Sequence, residues 1–133
     1  MRYLLDTSAI LSHFQGEKGA EQVNALFENS KTEIFVSILS KVEFIRKVKE
    51  VEVDLNEVRR IWKEYSLLWS EVIPVDEKVT ESSVEIFDQM NTRIPMIDSL
   101  IAASAHSKKA ILVHRDQHLL GIPSTLVEQI YLG

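Results

Sequence analysis

Four acidic residues, dozens of positions apart, occur where predicted strands end or predicted helices begin. Asp6 directly follows the first apolar strand, and Asp116 follows a later apolar strand predicted at 110–113. Glu43 and Asp98 each fall in the first turn of a predicted helix. In a parallel α/β sheet, strand C-termini and crossover-helix N-termini share one edge, and ligands bind there. The sequence therefore predicts that these four carboxylates converge.

Each acid also has a purely structural interpretation. Asp6 could cap the helix that follows it, and Glu43 could complete a Ser40-x-x-Glu43 capping box. Asp98 suits the positive end of a helix dipole, and Asp116 suits an Asx-turn. However, three of these acids adjoin or interrupt strongly apolar runs, where an ionised group without a partner is costly. We therefore prefer the interpretation in which the four act together.

Converging carboxylates need a cation. Two like charges about 4 Å apart repel by about 4 kcal/mol at an effective dielectric near 20, so a cluster of four must bind a cation or stay partly protonated. An all-oxygen site without cysteine suits Mg²⁺ or Mn²⁺, which also bind phosphate oxygens. Such an ion lowers the pKa of bound water and stabilises the charge that develops in hydrolysis.

Strands and helices alternate along the whole chain. Strands are predicted at 2–5, 34–36, 72–75, 110–113 and 124–127, with amphipathic helices between them. This alternation predicts an α/β fold, with a mostly parallel sheet of about five strands flanked by helices. No repeat, low-complexity tract or linker interrupts the pattern, so we expect residues 1–133 to form a single domain.

Composition excludes several classes of protein. The 133 residues are 45% apolar and 26% charged, as in ordinary globular proteins, and no apolar run is long enough to span a membrane. The chain enters a strand at once, leaving no room for a signal peptide, and it has no cysteine; we therefore expect a cytoplasmic protein. The net charge of −5 means that a polyanionic substrate would need a local cationic feature or a bound cation.

Four segments together resemble the PIN domain family, in particular the small VapC-type toxin endoribonucleases of toxin–antitoxin pairs. Their order, spacing and the chain length agree with that family, and the resemblance covers essentially the whole chain. The matching segments are Leu4-Leu5-Asp6-Thr7-Ser8-Ala9, Ser37-Ile38-Leu39-Ser40-Lys41-Val42-Glu43, Ile97-Asp98-Ser99-Leu100-Ile101-Ala102-Ala103-Ser104-Ala105 and Ile111-Leu112-Val113-His114-Arg115-Asp116.

The resemblance implies a PIN-like three-layer fold, a Mg²⁺ or Mn²⁺ cofactor and cleavage of RNA phosphodiester bonds. The catalytic, metal-binding acids would be Asp6, Glu43, Asp98 and Asp116, with Ser8 as a supporting hydroxyl. It also implies a homodimer and a small antitoxin partner that covers the acidic cleft.

Two histidines depart from the family pattern. His114 stands where Thr or Ser is common, and His118 stands where a further acid is sometimes found. His114 could take over the hydroxyl's supporting role, and the number of bound metal ions stays open. His118 could contact substrate or be an exposed turn residue; no H-E-x-x-H motif supports a zinc site.

Basic residues near the acids are candidates for phosphate contacts. Arg46, Lys47 and Lys49 follow Glu43 on one helix, where they could bind phosphates or pair with neighbouring acids. Two further candidates are Arg93 and Arg115.

Two other functions fit parts of the pattern. The chain could be a catalytically silent PIN-like module that binds RNA or protein, although binding alone does not need four clustered acids. A phosphotransfer domain or phosphatase with Asp6 as nucleophile is disfavoured, because the usual second acid two residues later is Ser8.

Overall fold

A computed structural model describes residues 1–133 as a five-stranded sheet with helices on both faces. The strands lie in the order β3-β2-β1-β4-β5, and every neighbouring pair is parallel. The predicted α/β fold with a parallel sheet of five strands is therefore confirmed. The elements are β1 Arg2–Leu5, α1 Thr7–Gln15, α2 Ala20–Glu28, β2 Glu33–Ser37, α3 Ile38–Val48, α4 Leu55–Ser66, β3 Glu71–Ile73, α5 Glu77–Gln89, α6 Met96–Lys108, β4 Ile111–His114, a 3-10 helix Gln117–Gly121 and β5 Gln129–Tyr131.

The two faces of the sheet form two separate cores. Leu4 of β1 belongs to the core on one face, together with residues of α5 and α6, whereas Leu5 belongs to the core on the other face, with residues of α1, α3 and α4. Both side chains are completely buried. Burying a leucine contributes about 1.5–3 kcal/mol, so β1 is held firmly from both sides. None of the helices is both long enough and apolar enough to span a bilayer.

The central position of β1 determines where Asp6 lies. β1 pairs with β2 on one side and β4 on the other, with Leu5 opposite Val113. The backbone N–H of Asp6 then donates to the carbonyl oxygen of Val113, at 2.9 Å. The end of β1 and the end of β4 are therefore adjacent, which brings residues 6 and 114–116 together.

The fifth strand lies later in the chain than predicted. Residues 124–126 form a turn, closed by the N–H groups of Leu126 and Val127, which donate to the carbonyl oxygen of Pro123. β5 is formed instead by Gln129–Tyr131, which pairs with β4. The prediction of a strand at 124–127 was wrong because Ser124 and Thr125 lie exposed in the turn, and two apolar residues after them do not distinguish a turn from a short strand.

The helix that carries Glu43 begins earlier than predicted. Ser37 caps α3 by accepting a hydrogen bond from the N–H of Leu39, so the predicted capping box at Ser40 does not form. Ser40 is completely buried inside the helix, and Glu43 lies in its second turn. The placement of Glu43 in a first turn was therefore wrong. Ser40 and Glu43 are three residues apart and share one helix face.

Candidate metal centre

Asp6 is held at the N-terminus of α1. It is 4% exposed, and its Oδ2 accepts hydrogen bonds from the backbone N–H and the hydroxyl of Ser8, at 3.1 and 2.5 Å. The Ser8 hydroxyl in turn accepts the backbone N–H of Arg115, at 2.9 Å. Burial raises the pKa of Asp6, while the two bonds from Ser8 oppose that rise. Ser8 therefore orients Asp6 and ties it to the segment after β4.

Glu43 is oriented by a residue that the sequence analysis did not single out. The hydroxyl of Thr7 donates to Oε1 of Glu43 at 2.6 Å and lies 3.0 Å from the hydroxyl of Ser40. Thr7 is 7% exposed and Ser40 is fully buried. The only sign of this role in the sequence was the position of Thr7 in the D-T-S segment, between the predicted site residues Asp6 and Ser8. Its contact with Glu43 spans 36 positions and depends on the tertiary fold.

Asp98 lies in the first turn of α6, as predicted, and is half-buried. The pKa of its carboxyl is raised to about 7, first of all by burial. The negative charges of Asp116, Asp6 and Glu43 and the hydrogen bond that protonated Asp98 makes to Asp116 contribute the rest of that rise. Burial and the negative charge of the neighbouring acids therefore both favour the protonated form of Asp98 near neutral pH.

Asp116 caps the 3-10 helix after β4. Its Oδ1 accepts the backbone N–H of His118 at 2.9 Å, and Nδ1 of the His118 ring lies 3.0 Å from the same oxygen. The Asx-turn interpretation of Asp116 is therefore correct for the backbone. This turn is compatible with a role in the acidic site, because the charge of Asp116 also helps to raise the pKa of Asp98.

His114 is a buried link between Asp116 and β5. The ring is completely buried, and its Nδ1 accepts the backbone N–H of Asp116 at 3.1 Å. Nδ1 therefore carries the lone pair and Nε2 the proton, which Nε2 donates to Oε1 of Gln129 at 2.7 Å. The amide nitrogen of Gln129 donates to the carbonyl oxygens of Leu119 and Ile122. The His114 ring thus fixes the backbone that carries Asp116.

The four acids line one open cleft of about 680 Å³. Arg46, Lys47 and Lys49 line the same cleft. Lys47 pairs with Glu50 at 3.7 Å, whereas Arg46 and Lys49 make no ion pair. The guanidinium of Arg115 pairs with Glu17 and does not line the cleft, and neither does Arg93. The convergence of the four acids is observed, with positive charge on one wall.

The donor set of this cleft fits a hard divalent cation. It presents carboxylate oxygens and no sulfur. A divalent ion would relieve the repulsion among the acids, which adds to the effect of burial on the pKa of Asp98. Asp98 and Asp116, together with His118, place ligand-capable atoms within 4.8 Å of one another. The residues present therefore match the Mg²⁺ or Mn²⁺ that the sequence predicts.

A comparison with known protein families finds a match to the PIN domain over residues 3–123. The chain belongs to the PIN domain family. PIN domains are generally nucleases, and PIN nucleases generally depend on divalent metal ions. No match was found among curated proteins.

Solved structures share the same fold over the full chain. VapBC2 from Rickettsia felis, bound to a DNA fragment from its promoter, is 19% identical with a TM-score of 0.77 and 100% of both chains covered. VapBC-1 from nontypeable Haemophilus influenzae is 18% identical with a TM-score of 0.76, covering 99% of this chain and 98% of that one. FitAcB from Neisseria gonorrhoeae is 18% identical with a TM-score of 0.72, covering 98% and 96%. These neighbours establish the PIN-like fold.

Proposed function

We propose that this protein is a metal-dependent endoribonuclease that hydrolyses RNA phosphodiester bonds as the VapC-type toxin of a toxin–antitoxin pair. All 133 residues would act as one PIN domain. The observation that carries the proposal is the cleft, in which Asp6, Glu43, Asp98 and Asp116 converge and where burial, together with repulsion from the other acids, raises the pKa of Asp98 to about 7.

The four acids would hold Mg²⁺ or Mn²⁺. When bound, such an ion supplies an activated water and stabilises negative charge on the phosphate in hydrolysis. The rest of the site keeps the ligands in place. Ser8 holds Asp6, Thr7 holds Glu43 and His114 holds the backbone of Asp116. Such outer partners of ligating groups commonly contribute 10–100-fold to metal affinity or activity.

Positive charge beside the acids suits a nucleic-acid substrate. The protein carries a net charge of −5, so its overall field repels RNA. Arg46 and Lys49 line the cleft without an ion-pair partner, which supports a role for them in contacting substrate phosphates. Local attraction beside the cleft would therefore overcome the overall repulsion.

The proposed partners follow from the structural neighbours. One is described as a toxin–antitoxin complex from Klebsiella pneumoniae, and another as a member of the VapBC family of toxin–antitoxin systems. We propose by analogy that this chain forms a homodimer in the cytoplasm and binds a small antitoxin that covers the acidic cleft.

RNA cleavage by the purified protein tests the enzymatic proposal. We expect cleavage with Mg²⁺ or Mn²⁺ and none with EDTA. Asp6→Asn and Asp98→Asn should each lower the rate at least about 100-fold, since each removes part of several kcal/mol of metal-derived stabilisation. Asp88→Asn, an exposed acid of α5 away from the cleft, is the matched control.

Cleavage that survives both substitutions would contradict the proposal. A metal titration that shows no binding would instead favour the catalytically silent PIN-like module. Co-purification with the product of a neighbouring reading frame, and loss of activity on its binding, would test the antitoxin.

A further inference from the structure

One nitrogen donor adjoins the carboxylates. The ligand-capable atoms of Asp98, Asp116 and His118 all lie within 4.8 Å of one another. Opposite ligands of an octahedral ion with bonds of about 2.1 Å are about 4.2 Å apart, so only small side-chain movements would bring all three onto one ion.

The hydrogen bond of His118 brings one ring nitrogen against Asp116. Nδ1 of His118 lies 3.0 Å from Oδ1 of Asp116. Adjacent ligands of an octahedral ion with bonds of about 2.1 Å are also about 3.0 Å apart, so a metal ion would bind these two atoms in place of the proton that they share. Nδ1 is therefore the nitrogen placed to bind the same ion as Asp116, because Nε2 lies on the opposite side of the ring from that oxygen.

The other histidines have different surroundings. His114 is completely buried and uses both ring nitrogens within the protein. His13 bonds to Tyr65, and His106 bonds to the carbonyl oxygen of Leu126. Only His118 combines proximity to two acids of the cleft with a side chain that is 65% exposed.

We propose that His118 is a nitrogen ligand of the divalent ion that Asp98 and Asp116 bind, and that it shifts the metal preference of the site from Mg²⁺ toward Mn²⁺. This inference rests on the proposed metal site. Mg²⁺ strongly prefers oxygen ligands, whereas imidazole nitrogen suits first-row transition ions. Replacing an oxygen donor by His118 therefore favours Mn²⁺ over Mg²⁺.

Pulsed electron paramagnetic resonance of the protein loaded with one equivalent of Mn²⁺ tests the ligand directly. A coordinated imidazole gives nitrogen modulation of the electron spin echo. We expect that modulation in the wild type and in the control His106→Gln, and its loss in His118→Gln and His118→Asp.

Calorimetric titration with Mn²⁺ and with Mg²⁺ gives the preference. His118→Gln should weaken Mn²⁺ binding about tenfold, at the low end of the 10–100-fold loss of affinity that follows when the partner of a metal ligand is removed. The same variant should change Mg²⁺ binding less. His118→Asp, which supplies a carboxylate oxygen instead of a nitrogen, should strengthen Mg²⁺ binding and lower the ratio of Mn²⁺ to Mg²⁺ affinity. Neither measurement requires RNA cleavage.

The outcomes separate the two proposals. Mn²⁺ binding that Asp98→Asn abolishes, but that gives no nitrogen modulation in the wild type, would overturn the role of His118 and leave the carboxylate site standing. Absence of Mn²⁺ binding, or binding that Asp98→Asn leaves unchanged, would overturn both. Circular dichroism of each variant shows whether it is folded.

Discussion

The backbone N–H of Asp116 donates to Nδ1 of His114, 3.1 Å away, and the ring that receives it is completely buried. One of the four acids of the cleft is thus held by a completely buried side chain. The same ring donates to Gln129 of the edge strand β5, so one side chain joins the acid, β4 and β5.

Removing this link should lower turnover. We expect His114→Leu to reduce kcat for RNA cleavage about 10–100-fold with little change in KM, because Asp116 loses its support. His114→Asn, whose amide oxygen can accept the Asp116 N–H, should retain more activity.

Stability measurements distinguish positioning from general damage. His114→Leu leaves Oε1 of Gln129 and the Asp116 N–H without a partner, which should cost about 1–3 kcal/mol in the free energy of unfolding. If the Asn and Leu variants lose equal activity while both stay folded, the positioning role is wrong.

Thr7 should act through Glu43. Thr7→Val keeps the shape of the side chain but removes the donor that lies 2.6 Å from Glu43 Oε1. We expect about a tenfold loss of kcat, and Thr7→Ser should restore most of it. Steady-state kinetics with Mg²⁺ and with Mn²⁺ provide the measurement. Equal activity of the Val and Ser variants would show that the hydroxyl is dispensable.

Without metal, the protein should be less stable at neutral than at mildly acidic pH. The pKa of Asp98 is about 7 in the folded protein and 3.8 as its ordinary value. The folded state therefore binds more protons between these values, and stability falls as pH rises through this window. The destabilising contribution is absent below the ordinary pKa and complete above about 7.

Thermal unfolding in EDTA from about pH 5 to about pH 8 measures this effect. Asp98→Asn should flatten the profile, and Mg²⁺ or Mn²⁺ should raise the Tm of the wild type most at the alkaline end, where the carboxylates are ionised. If the Tm of the metal-free wild type instead rises between about pH 5 and about pH 8, and rises more than that of Asp98→Asn, the raised pKa of Asp98 is contradicted.

Arg46 and Lys49 should contribute to binding more than to chemistry. Changing both to Gln should raise KM for RNA and reduce the dependence of binding on salt, by a slope of about 0.7 for each lost phosphate contact on a single strand. Lys41→Gln is the matched control, because Lys41 is exposed on the same helix but does not line the cleft. An unchanged salt dependence in the double variant would exclude phosphate contacts.

The sequence alone was sufficient to predict the fold class and the convergence of the four acids at one edge of the sheet. Apolar runs that alternate with amphipathic helices specify a parallel α/β sheet, and such a sheet brings strand ends and helix starts to one edge. Asp6, Asp98 and Asp116 could be placed this way because Asp6 directly follows β1, Asp98 lies in the first turn of α6 and Asp116 comes two residues after β4.

Only the tertiary structure decided how these acids are held. The bond from Thr7 to Glu43 and the bonds of Ser8 to Asp6 and to the backbone of Arg115 depend on atoms brought together by the packing of β1 between its neighbours. The start of α3 and the position of β5 likewise depend on hydrogen bonds and burial, which local hydrophobicity does not encode. The sequence thus specifies which groups meet, while packing specifies their partners and the protonation of Asp98.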